Sequence, residues 1–146
     1  MNTIVKSFDE LNIKELYQIL QLRSQVFVVE QKCVYQDIDD KDQKAFHVLG
    51  FVNEEIVAYT RVFNPGDYFK NTSIGRVVVS AEMRKYGHGK KIMQDTLAFI
   101  ENKLKHSNIE LSAQTYLTKF YLELGFEPIG EEYLEDGIPH IRMVKN

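Results

Sequence analysis

The apolar residues of this 146-residue chain change their spacing several times, and each change marks an element. Thr3 to Ser7 is short and partly β-branched, which predicts a first strand. Asn12 and Glu15 form an N-x-x-E capping pair ahead of Ile13, Leu16, Tyr17 and Leu20, and that three- and four-residue spacing predicts a helix to about Val28. Phe27, Val28 and Val29 make its last turn apolar all round, so this end is expected to be buried against a sheet. Phe46 to Val52 and Ile56 to Phe63 read as a hairpin turning at Asn53-Glu54-Glu55, ended by Pro65-Gly66-Asp67. Ile74 to Ser80 is another β-branched run, followed by a helical face of Ile92, Met93, Thr96, Leu97 and Ile100. After a break at Ser107-Asn108, Ile109 to Ala113 supplies a further strand, and Leu117 to Leu124 predicts a short helix closed by Gly125. Glu127 to Leu134 and Ile138 to Val144 flank Asp136-Gly137, the strongest hairpin signal in the chain.

The resulting order, β-α-β-β-β-α-β-α-β-β, predicts an α+β fold with a single mixed, mostly antiparallel sheet flanked by helices. No repeat, low-complexity tract or linker interrupts it, so one domain over residues 1–146 is expected.

Charge and composition narrow the partners. A formal net charge of -3 gives no field to hold a polyanion, so nucleic acid is not expected. The local group Arg84, Lys85, Lys90 and Lys91 better matches a small phosphorylated ligand. Cys33 is the one cysteine, which excludes an intramolecular disulfide and a Cys-based metal cage. His47, His88, His106 and His140 share no ligand spacing, so no metal is expected. No apolar stretch is long enough to span a bilayer, so no membrane partner is expected and a cytoplasmic location is.

Several polar residues fall outside this pattern. Asp37, Asp39, Asp40 and Asp42 share one loop, but an EF-hand begun at Asp37 would need Gly and Glu where Asp42 and Val48 stand. A solvated loop is expected, with attraction of a cationic substrate as the alternative. Strand alternation should likewise put Arg61 and Arg76 in solvent, unless one of them lines an acceptor pocket and favours a carboxylate.

The densest chemistry lies between Ile74 and Phe99. Here a strand hands over to a helix through Arg84-Lys85-Tyr86-Gly87-His88-Gly89-Lys90, an R-x-x-G-x-G pattern that is neither a P-loop nor the Rossmann fingerprint. Such a turn aims backbone N–H groups and the positive end of the helix dipole at one point, which suits a phosphate.

This stretch resembles the acyl-CoA-binding signature of the GNAT superfamily of N-acetyltransferases. The chain is also similar to its ElaA-like members through Val26-Phe27-Val28-Val29-Glu30-Gln31 and Tyr133-Leu134-Glu135-Asp136-Gly137-Ile138-Pro139-His140-Ile141, so the resemblance runs from about residue 20 to the end. It implies a GNAT-like (acyl-CoA N-acyltransferase) fold, acetyl-CoA as co-substrate, and acyl transfer to a primary amine of a small molecule or peptide. The predicted element order matches that fold except for a second helix before Phe46, for which the Asp-rich loop leaves room.

By the same resemblance, the strand carrying Val77, Val78 and Val79 offers its backbone to the pantetheine arm, and a bulge near Val77 or Val78 supplies an oxyanion N–H. Arg84, Lys85, Tyr86, Gly87, His88, Gly89 and Lys90 hold the pyrophosphate, and Gln114 stands where many relatives carry an Asn that touches the CoA arm. Phe120-Tyr121-Leu122-Glu123-Leu124-Gly125-Phe126 fits F-Y-x-x-x-G-F and makes Tyr121 the general acid. Glu30, at the end of an apolar run where desolvation would suit a base, is the first candidate for that role, and His140 is the second. A non-catalytic acyl-CoA sensor is the alternative from another class. Arg23-x-x-x-Phe27 followed by the acidic loop resembles acyl-homoserine-lactone synthases, although the chain lacks their Trp residues. The terminal hairpin could pair edge to edge in a homodimer.

Overall fold

The structure, a computed structural model, describes residues 1–146. Seven strands form one sheet in the order β1-β2-β3-β4-β5-β7-β6, with β1 at Asn2–Ser7, β2 at Phe46–Val52, β3 at Glu55–Phe63, β4 at Thr72–Val79, β5 at Ile109–Gln114, β6 at Glu127–Glu135 and β7 at Ile138–Lys145. Every neighbouring pair is antiparallel except β4 and β5. Three α-helices cover it: α1 at Ile13–Arg23, α2 at His88–Phe99 and α3 at Thr118–Glu123. None is long and apolar enough to cross a membrane.

Strand alternation gives the sheet two different faces. On one, Val48, Ala58, Val62, Ile74, Leu111 and Met143 meet Ile92, Met93 and Leu97 of α2 in the main core. On the other, Leu49, Tyr59 and Val78 meet Ile19, Leu22 and Val26 from α1 and its extension. The Asn12–Glu15 capping box starts α1, with Asn12 Oδ1 accepting from the Glu15 N–H at 2.7 Å. Its buried stripe is displaced from the expected face, because Ile13 and Tyr17 are exposed.

Beyond Arg23 the helix widens into a π-helical stretch, Ser24–Glu30. This shift in winding turns Val26 into the core and Phe27 and Glu30 toward a cleft. It also leaves Val29 exposed, so the end of the helix is buried on one side rather than all round.

The Asp-rich loop holds no second helix, only a 3₁₀ turn at Asp42–Lys44, and it is not solvated as expected. Asp37 and Asp42 are buried, and so are Arg23 and Arg61. Arg23 donates to Asp37 at 2.8 Å and to Asp42 at 2.7 Å, and Arg61 donates to Asp42 at 3.0 Å and to Asp39 at 2.9 Å. Arg76 pairs with Asp37 at 2.8 Å and Asp39 at 3.4 Å. Three guanidinium groups thus face three carboxylates, and the ion pairs fix the loop in place of helical hydrogen bonds. Burial alone would push the Asp42 carboxyl up, but Arg23 and Arg61 outweigh it and hold it below the usual carboxylate range. His47 is enclosed beside this network. The Asp42 carbonyl can only accept, so His47 Nε2–H donates to it at 2.9 Å and Nδ1 accepts from the Tyr59 hydroxyl at 2.6 Å.

Candidate active site

The parallel pair is where the sheet opens. β4 and β5 are in register only at Thr72–Ile109 and Ser73–Glu110, and beyond those positions they diverge. The edge of β4 from Ile74 to Val79 therefore lacks a partner strand, which makes it a template for another chain of amides. A cleft of about 570 Å³ occupies the gap.

Two backbone features shape this edge. Opposite Thr60, β4 carries an extra residue, because Tyr59 pairs with Val78 and Arg61 with Gly75. Within that bulge Arg76 takes φ +50, a left-handed conformation that costs a non-glycine residue about 1 kcal/mol or more. The ion pairs from Arg76 to Asp37 and Asp39 hold it there. At the far end of β4 the turn into α2 has Lys85 at φ +74 and Gly87 at φ +77, the latter as the residue before the first helical turn. Only glycine adopts that conformation without strain, although a Cβ on Gly87 would meet no atom within 4 Å. The first N–H groups of α2 have no intrahelical acceptor, and Gly87, His88, Gly89 and Lys90 at this positive end of the helix dipole line the cleft.

Most residues singled out from the sequence line this one cleft. Val77, Val78 and Val79 form its β4 wall, and Arg84, Lys85, Gly87, His88, Gly89 and Lys90 form its basic mouth. Tyr86 does not line it and is 70% exposed. Gln114 faces it from β5, its amide exchanging hydrogen bonds of 3.3 and 3.4 Å with Gln31. Tyr121 on α3 is 5% exposed, with its ring set edge-on to Phe120 and Phe126. Burial pushes its phenol up from the ordinary value, with a smaller contribution from Tyr116, so the hydroxyl keeps its proton across the ordinary pH range.

The two candidate bases differ in surroundings. Glu30 is not desolvated as expected: its carboxylate is 39% exposed and takes a bidentate pair from Arg84 at 2.6 and 3.0 Å. Arg84 also donates to the Val79 carbonyl, so its side chain ties the end of α1 to the end of β4. His140 is 6% exposed, paired across the sheet with Gln114. Its Nδ1 lies 2.7 Å from the Ile138 carbonyl and therefore donates, which leaves Nε2 as the open nitrogen, 3.3 Å from Glu135.

Arg61 and Arg76 are not in solvent. Both line the cleft, and both are spent on Asp37, Asp39 and Asp42. Ser73 and Ser112 were not singled out from the sequence, and Arg23, Gln31 and Tyr133 stood there only within stretches of family resemblance, with no role assigned. Ser112 and Tyr133 share a hydrogen bond between their hydroxyls, and Ser73, Ser112 and Gln114 all line the cleft. The polar alternation Glu110, Ser112, Gln114 was the available signal for β5. No local pattern marks Ser73, and the contacts of Arg23, Gln31 and Tyr133 are with residues distant in the chain.

Comparison with known proteins adds independent findings. A family model described as an acetyltransferase (GNAT) domain matches residues 10–146. The chain is 44% identical over 138 residues to the protein ElaA of Escherichia coli strain K12, covering 93% of this chain and 90% of that protein. Among solved structures it is similar to an acyl-CoA N-acyltransferase from Pseudomonas aeruginosa, with TM-score 0.93, 39% identity and 99% of each chain covered. E. coli ElaA follows with TM-score 0.92, 41% identity and 99% of each chain. The acyl-homoserine-lactone synthase LasI, at 13% identity and TM-score 0.78 over 99% of this chain and 89% of that one, shares the fold alone.

Proposed function

The chain belongs to the GNAT acetyltransferase family and has the GNAT fold, and from that premise we propose that it transfers the acetyl group of acetyl-CoA to a primary amine of a small molecule or peptide by direct attack. The observation that carries the proposal is the unpaired edge of β4 running from the bulge at Arg76 to the glycine turn at Gly87. It offers amide-pairing groups for the pantetheine arm and ends in free N–H groups, Lys85 and Lys90 for the phosphates. Cys33, the one thiol of the chain, is in keeping with a reducing cytoplasm as the setting.

In this reading the amine nitrogen bonds to the thioester carbon, the carbonyl oxygen gathers negative charge, and the carbon–sulfur bond breaks. The bulge and the positive φ of Arg76 support a backbone N–H there as the donor to the developing oxyanion. The departing thiolate takes the phenolic proton of Tyr121. Burial raises the phenol, which keeps it protonated and ready to donate until the thiolate departs. In the same reading His140 receives the proton lost by the amine on Nε2, the nitrogen that lies 3.3 Å from Glu135. Glu30 is the weaker candidate because Arg84 already occupies both of its oxygens.

Release of CoA thiol from acetyl-CoA across a panel of primary amines tests the proposal. Tyr121→Phe is expected to lower kcat by ~100-fold, the order of general acid catalysis, while KM for acetyl-CoA stays within about twofold. If a folded, acetyl-CoA-binding protein releases no thiol above background with any amine, the sensor reading takes its place.

A further inference from the structure

Resting on that reading of the reaction, we propose that the acceptor binds on the open face of the sheet over Gly75, in a subsite that selects amines whose distal end is uncharged and carries a hydrogen-bond-accepting oxygen, as an amide does. Alternation places Ser73 and Gly75 on the same face as Arg61 and Phe63, opposite which they pair, and on the same face as Ser112 and His140. α1 packs on this face through Tyr59 and Val78, beside the cleft. Over Gly75 there is open space, since a Cβ built there would meet no atom within 4 Å.

Two donors next to that space have no partner. Ser73 Oγ and Arg61 Nε are buried, belong to residues that line the cleft, and make no hydrogen bond in the protein. A buried donor left without a partner is costly, so an oxygen delivered by a ligand is the natural complement of both. Phe63 stacked on Tyr68, with ring centroids 5.0 Å apart, and Phe69 set edge-on to Tyr68 supply an apolar wall for the stem of such a ligand.

Charge decides what kind of oxygen. Arg61 and Arg76 are neutralised by Asp37, Asp39 and Asp42, and Glu135 and Asp136 stand at the rim. A carboxylate would meet no free cation here and would be repelled by the rim, whereas a neutral carbonyl gains two hydrogen bonds. A second ammonium would satisfy the rim and leave both donors unpaired. Ser73 lies three residues before the bulge, about 10 Å at ~3.3 Å per residue, so the favoured oxygen sits several methylenes from the reacting nitrogen.

The test compares kcat/KM for ω-amino amides of increasing length with the alkylamines, ω-amino acids and α,ω-diamines of equal length. The amides are expected to lead, and Ser73→Ala should narrow their lead over alkylamines by ~10-fold, the loss of one hydrogen bond. Gly75→Val, which fills the space at a backbone conformation open to any residue, should depress kcat/KM for every long amine. Far-UV circular dichroism and the thermal midpoint of both variants should match wild type and show that they are folded. A lead by the amino acids or the diamines, or a preference for amides that survives Ser73→Ala, overturns the proposal while leaving acyl transfer standing. Absence of transfer to any amine by the wild type overturns both.

Discussion

Replacing Asp42 by Asn should cost far more than the same change at Asp40, two residues away in the same loop. Asp42 Oδ1 accepts from Arg23 at 2.7 Å and from Arg61 at 3.0 Å, and those side chains are 0% and 1% exposed. Asn keeps the shape, removes the charge and presents either a weaker acceptor or an NH₂ to two guanidinium groups that cannot reach water. Removing one partner of a buried pair costs about 3–5 kcal/mol. For a domain of this size each kcal/mol lowers Tm by roughly 2–4 °C, so a fall of roughly 6–20 °C is expected. Asp40 is exposed and its carboxylate accepts only from Gln43 at 3.0 Å, so Asp40→Asn should stay within about 0.5 kcal/mol of wild type. Urea unfolding followed by far-UV circular dichroism measures both. Two variants that unfold within about 0.5 kcal/mol of each other would refute the claim that the loop is held by buried charge.

The remaining predictions concern pH and the base. Asp39 and Asp42 have depressed folded values: burial acts upward on each, and Arg61 with Arg76 at Asp39, or Arg23 with Arg61 at Asp42, outweighs it. Their stabilisation is therefore complete above the unfolded carboxylate value of about 3.9 and disappears as pH falls through the folded values. His47 is lowered by burial, against a smaller upward pull from its hydrogen bond to Asp42, so its contribution is complete above an unfolded value of about 6.5 and declines as pH drops from there. Stability measured against pH should accordingly fall in two stages on acidification, and His47→Gln should flatten the upper one. Glu30→Ala should shift stability by less than about 1 kcal/mol, as the loss of a half-exposed pair does, and leave kcat within about threefold. His140→Asn should lower kcat by ~100-fold, and the reverse pattern in stopped assays of thiol release would reassign the base to Glu30.

How much of this was legible before folding depended on the range of the interaction. The capping box at Asn12, the helical face from Ile92 to Ile100 and the Asp136-Gly137 hairpin are set by residues a few positions apart, and all appear in the structure. The glycine turn before α2 was legible for the same reason, since Gly87 has the positive φ that only glycine adopts freely. Arg23, Arg61 and Arg76 meet their carboxylates across 14 to 39 residues, which no period reports, so strand alternation misplaced two of them in solvent. Arg76 is a left-handed residue without a glycine signature, and it takes that conformation because Asp37 and Asp39 hold its side chain. The expected desolvation of Glu30 is not found, since its carboxylate is 39% exposed, and its partner, Arg84, arrives from 54 residues away. The parting of β4 from β5 after Ser73 is likewise a tertiary event, and the cleft itself depends on it.

The most direct test of the central claim is calorimetric titration of acetyl-CoA into the wild-type protein and into Gly87→Glu, which adds strain at φ +77 and a negative charge at the mouth of the cleft. Saturable binding of one equivalent by the wild type, weakened at least ~10-fold in a variant that remains folded, is the expected result, because both changes oppose an anion at the start of α2. No binding by the folded wild type, or equal binding by the two proteins, would contradict it.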